Sequence, residues 1–75
     1  MADGGSSRVT IDRVDMGEGY VCFQAGKQPP APEELPYYLH RALQDWLRRN
    51  SEFRIRTAMP IVANGQTVAI HVWFD

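Results

Sequence analysis

The side chains able to do chemistry in this chain are few and scattered. Cys22, His40 and His71 are its only soft metal ligands, and no CxxC or HxxxH spacing joins them. A structural zinc site draws on such paired spacings, so no metal ligands are assigned. Cys22 and His71 become a pair only if the fold brings them together, since a thiol beside an imidazole is the arrangement of a cysteine nucleophile. Nothing near either residue supplies an orienting carboxylate or a recognisable oxyanion hole. No catalytic residue is therefore named, and a small Cys/His enzyme ranks third among the functions open to the chain. Gly17-Glu18-Gly19 holds part of a dinucleotide fingerprint. Its third glycine is missing and a strand rather than a helix follows, so no phosphate cradle and no cofactor are expected.

A second set of residues is aromatic and basic: Arg54, Arg56, His71 and Trp73, with Tyr20 nearby. Their placement depends on residues 53–75, which read FRIRTAMPIV, then Ala63-Asn64-Gly65-Gln66, then TVAIHVWFD. Asn-Gly between two β-rich runs predicts a type I′ hairpin turn, with φ > 0 at both central residues. That turn sets a register in which Ile61 faces Val68, Met59 faces Ile70, Thr57 faces Val72 and Ile55 faces Phe74. This apolar face is expected to be buried. The other face pairs Ala58 with His71, Arg56 with Trp73 and Arg54 with Asp75. Arg56 then caps Trp73 by a cation–π contact, and Arg54 forms a cross-strand ion pair with Asp75. Arg54, Arg56, His71, Trp73 and Tyr20 make the candidate binding face.

The elements that hold this face follow from the remaining chain. Residues 1–7 are small, polar and Gly/Ser-rich, which predicts a disordered tail. A single domain is expected over residues 8–75. Residues 8–14 alternate as a first strand, with Val9 and Ile11 on one side. Residues 15–19 read as a turn with glycines available for positive φ. Residues 20–25 form a second strand, with Val21 and Phe23 inward and Tyr20, Cys22 and Gln24 outward. Residues 26–32, GKQPPAP, make a stiff proline-rich connection. Residues 33–50 are the helix, because Leu35, Tyr38, Leu39, Ala42, Leu43, Trp46 and Leu47 fall on one stripe at helical period. Regular helix should begin near Pro36, and Asn50, tolerant of left-handed geometry, should end it.

The fold class is therefore α+β, in the order ββαββ. A four-stranded, mainly antiparallel sheet carries one amphipathic helix on one face. Pro60 lacks the N–H that a neighbour on its outer side would need, which places the third strand at an edge. Strand orders 2-1-4-3 and 1-2-4-3 both satisfy this.

Composition sets the outer limits. A chain of 75 residues with 44% hydrophobic and 23% charged side chains belongs among ordinary small globular domains. A net charge of −1 gives bulk charge no part in attracting nucleic acid or acidic membranes. The lone cysteine and the absence of a signal-peptide pattern at the start predict a soluble, cytoplasmic protein. No apolar run approaches the roughly 18–20 residues that span a bilayer, so no membrane partner is expected. A helix about 10 Å wide cannot cover four strands spanning about 19 Å. The expected function is a non-catalytic binding or dimerisation module, acting as a homodimer or with an unidentified protein partner. The alternative is a module that binds single-stranded nucleic acid on the open sheet face.

Overall fold

The computed structural model describes residues 9–75; the tail expected over residues 1–7, together with Arg8, lies outside them. The chain runs β1 (Ile11–Gly17), β2 (Tyr20–Ala25), α1 (Leu35–Arg49), β3 (Ile55–Ala63) and β4 (Gln66–Phe74). Every neighbouring pair of strands is antiparallel, and the order across the sheet is β1-β2-β4-β3. The ββαββ architecture stands, and of the two strand orders the second is the one adopted. β3 is an edge strand, where Pro60 is tolerated.

The helix buries the stripe its periodicity predicts. Leu35, Leu39, Leu43 and Trp46 pack against Val21 and Phe23 of β2 and Ile70 and Val72 of β4. Trp46 meets Phe74 edge-on at 4.9 Å and stacks with Phe53 at 5.7 Å, which closes the core beneath the last turn. Both ends differ in detail from expectation. A 3-10 turn, Pro32–Glu34, precedes the α-helix, so α1 begins at Leu35 with Pro36 in its first turn, where no N–H is missed. At the other end Asn50 has φ −125°, not a left-handed value. Its side-chain amide instead donates to the Trp46 carbonyl at 2.8 Å, a second bond to an oxygen that also accepts the Asn50 backbone N–H at 3.0 Å.

β1 starts and ends later than the sequence suggests, running through Asp15, Met16 and Gly17, and the turn shrinks to Glu18-Gly19. Gly19 sits at φ 71°, and a Cβ there would lie 2.7 Å from the Phe74 carbonyl oxygen. Its own carbonyl accepts a hydrogen bond from Phe74 N at 2.9 Å, so glycine lets the first turn dock on the end of β4.

The hairpin turn is as its chemistry requires, with Asn64 at φ 54° and Gly65 at φ 77°. The register beyond it is not the expected one. Val62 faces Thr67, but Ile61 faces Ala69, so Val68 is an extra residue on β4 and the ladder carries a bulge. Pro60 then faces Ile70, Met59 faces His71, Ala58 faces Val72 and Thr57 faces Trp73, until a second irregularity returns Ile55 opposite Phe74. A slip of one residue turns each side chain to the opposite face. Thr57, Met59 and Ile61, expected in the core, therefore lie on the face away from the helix. The physical reason is in β3 itself. Ala58, Pro60 and Val62 are as apolar as the alternate set, so burial on one side does not pin the strand. α1 packs on β2 and β4 and does not reach β3, and all nine residues of β3 are exposed.

Candidate binding face

The register builds the face opposite the helix row by row. β2 pairs with β4 so that Tyr20 stands beside Trp73, Cys22 beside His71 and Gln24 beside Ala69. β1 adds Val14 next to Cys22 and Asp12 next to Gln24. β3 adds Thr57, Met59 and Ile61 beyond Trp73, His71 and Ala69. The centre of the sheet's outer surface is thus Val14, Cys22, His71 and Met59 in one row, with Tyr20 and Trp73 in the next.

Of the residues singled out from sequence, Tyr20, His71 and Trp73 are brought together. The Tyr20 and Trp73 rings stack with centroids 4.5 Å apart and planes 14° from parallel. The Tyr20 hydroxyl lies 2.6 Å from His71 Nδ1, and His71 Nε2 lies 3.7 Å from Cys22 Sγ. Arg56 stands at the corner of this face, lining a shallow hollow with Thr57, Met59 and Trp73. Two expected contacts are replaced. Trp73 stacks on Tyr20 rather than receiving Arg56, and the Asp75 carboxylate pairs with Arg56 Nε at 3.7 Å rather than with Arg54. Arg54 instead exchanges backbone hydrogen bonds with Asp75 at the strand end. The register shift accounts for the first change, because it stands Thr57 rather than Arg56 opposite Trp73. Arg54 still stands opposite Asp75, so the second is a choice between two neighbouring arginines and not an effect of register.

The Tyr20–His71–Cys22 chain can be judged as chemistry. When the Tyr20 hydroxyl donates to Nδ1, the ring proton sits on Nε2 and faces the sulfur, which gives a thiol no base. The opposite tautomer turns a lone pair toward Sγ. In either case burial pushes the Cys22 thiol pKa up, which keeps the sulfur protonated and unreactive. No group of three or more His, Cys, Asp and Glu gathers to hold a metal among the described residues. What the cluster does is fix ring positions: His71 is held from both nitrogens, and Tyr20 is held by its hydroxyl and by the Trp73 ring.

Sequence reasoning missed the apolar part of the face. Met59 is 52% exposed, with Val14 and Ile61 also open to solvent. β1's strict alternation carries Val14 to the outer side, and that much is legible once residues 8–14 are read as a strand. Met59 and Ile61 reach the face only through the bulge. Among the described residues no helix is long and apolar enough to cross a membrane. No family model matches the chain, and no curated protein or solved structure matches it either.

Proposed function

We propose that the chain is a small non-catalytic module that binds another protein through the open face of its sheet. The observation that carries this reading is the content of that face. Val14, Met59 and Ile61 share that face with the stacked Tyr20–Trp73 pair, leaving aromatic and thioether side chains open on a strand-rich, pre-formed surface. Aromatic residues and methionine are enriched in the buried centres of protein interfaces, and charged residues are depleted there. The rings are held in place by the Tyr20–His71 hydrogen bond, so little side-chain freedom is lost when a partner covers them.

Single-stranded nucleic acid fits the same face less well. Stacking platforms work with a basic groove that follows the phosphates. Here the basic groups sit at one corner, Arg56 beside Asp75, and Asp12 stands at the opposite corner, so no basic groove runs past the rings. A catalytic role for Cys22 lacks a thiolate. A lone buried thiol suits a reducing compartment such as the cytoplasm.

The test is a photo-crosslinking side chain at position 59, irradiated in the native cell. It should join the chain to a polypeptide, while the same group at position 41, exposed on α1, should not. Crosslinks to nucleic acid, or equal yields from both positions, overturn the reading.

A further inference from the structure

We propose that the partner on the open face is a second copy of this chain, packed face on face. In this arrangement the strands of the two sheets cross at close to a right angle, and Asp12 of each copy meets Arg56 of the other. The proposal rests on the open face being a protein-binding surface and names its occupant.

Other surfaces offer less to a second copy. The β3 edge carries Pro60 near its middle, which interrupts any strand added there, and the β1 edge carries Asp12, Arg13 and Asp15. Both are recognised protections against edge pairing. The outer side of α1 presents His40, Arg41, Gln44 and Arg48, all exposed, and has no apolar stripe to offer. The helix side of β3 also leaves Ala58, Pro60 and Val62 exposed, but it is one strand wide, so the open sheet face is the broader surface.

Size narrows the occupant. Four strands at about 4.8 Å spacing and about 3.3 Å per residue give a face on the order of 500 Å² in projection. A standard interface takes roughly 800 Å² of accessible surface from each partner. Side-chain relief raises the accessible area above its projection, so the face approaches this size only when most of it is covered. A second sheet laid crosswise covers most of it, whereas a single strand or helix covers a smaller part.

Charge sets the orientation. Rows of the sheet place Asp12 on β1 opposite Ile61, and Arg56 on β3 beyond Thr57, so the two occupy diagonal corners of the face. The Arg56 corner also holds Arg54 and Asp75, two cations to one carboxylate. A two-fold axis lying between the sheets and perpendicular to this diagonal brings each Asp12 over the other copy's Arg56, twice per dimer. Because the diagonal runs at about 45° to the strands, this axis turns one set of strands nearly perpendicular to the other, the orthogonal sheet packing. His71, Cys22 and the Tyr20–Trp73 pair then lie near the axis, in the dry centre. An isologous contact requires a self-complementary patch of this kind.

Sedimentation of the full chain at low salt, from micromolar to submillimolar concentration, tests the proposal. The wild type should dimerise, and Trp73→Ala should weaken the dimer roughly thirtyfold, the scale of a central tryptophan. Asp12→Arg and Arg56→Glu should each weaken it about tenfold, since each reversal places like charges together at two symmetric corners. The double variant Asp12→Arg/Arg56→Glu should recover to near wild type. Far-UV circular dichroism and urea midpoints on monomeric samples establish that each variant is folded. A wild-type monomer throughout overturns the proposal; if position 59 still crosslinks to a different polypeptide, the binding reading survives and the self-partner does not. A dimer indifferent to Trp73→Ala, or single reversals that the double variant fails to rescue, also overturns it.

Discussion

Met59→Glu tests whether β3 is as open as the structure makes it. α1 does not reach β3 and all nine of its residues are exposed, so a carboxylate at position 59 stays in water. Burying an unpaired ionised carboxylate would be far costlier than burying a neutral polar group, which alone costs about 1–3 kcal/mol by protein mutational data. In the structure Met59 is 52% exposed beside His71. A half-exposed methionine gives up at most part of the roughly 1.5–3 kcal/mol of full burial, and the strand penalty for Glu adds a few tenths. The variant should therefore lose no more than about 1 kcal/mol. Urea unfolding followed by tryptophan fluorescence reads this, at a concentration low enough that association adds no stability of its own. Ile70→Glu is the matched control: Ile70 belongs to the core cluster, and its replacement should leave the chain unfolded. A loss above about 2 kcal/mol for Met59→Glu would show Met59 to be enclosed in the monomer, and would refute the open face built on its exposure.

Three further outcomes are expected. Leu39 is fully buried between helix and sheet, and Leu39→Ala should cost about 3–5 kcal/mol by urea unfolding, from lost transfer energy and the cavity left behind; a shift equal to that of Leu47→Ala, at the margin of the core, would show that the stripe does not carry the packing. Gly65→Val should destabilise by about 1–2 kcal/mol although a Cβ there meets nothing within 4 Å, because the cost is that of φ 77° alone; Gly65→Asn should lose less, and equal losses would contradict this. Burial raises the Cys22 thiol pKa, so alkylation by iodoacetamide in the folded protein should be slow at neutral pH and climb only at a pH above that of an ordinary thiol; a rate at neutral pH matching the urea-unfolded chain would show the thiol to be open and activated.

The parts of this fold that can be read from sequence are those with one dominant determinant. The α1 stripe is legible because Leu35, Leu39, Leu43 and Trp46 share a face and their neighbours on the other side are polar. The turn at Asn64-Gly65 is legible because few other residues tolerate two successive positive φ values. β2 resolves correctly, with Val21 and Phe23 inward, and this puts Tyr20 and Cys22 on the open face with His71 and Trp73. β3 is different. Its two alternate sets are both apolar, so patterning leaves the register open, and the bulge at Val68 depends on long-range pairing that local sequence does not encode. The pairing of Trp73 with Thr57 in place of Arg56 follows from the same shift. Asn50 was legible as the helix end but not as a side-chain cap, since both roles suit the same residue.

The bulge also bears on why β3 belongs to this molecule. A strand whose nine residues are all exposed, and which α1 does not touch, is held by a single ladder to β4 and buries little against the core. Isolated two-stranded pairing is marginal in water, and a domain of 75 residues has little stability to spare. Without the bulge, Met59 and Ile61 would line the strip beside the helix, where Ala58, Pro60 and Val62 now stand exposed. With it, Met59 and Ile61 join Val14, Tyr20, His71 and Trp73 on one surface. If a second copy closes that surface, as proposed, the strand acquires on association burial that the monomer denies it. That coupling makes a specific demand: hydrogen exchange in β3 should slow on dimerisation far more than in β2, which is already buried at Val21, Cys22 and Phe23.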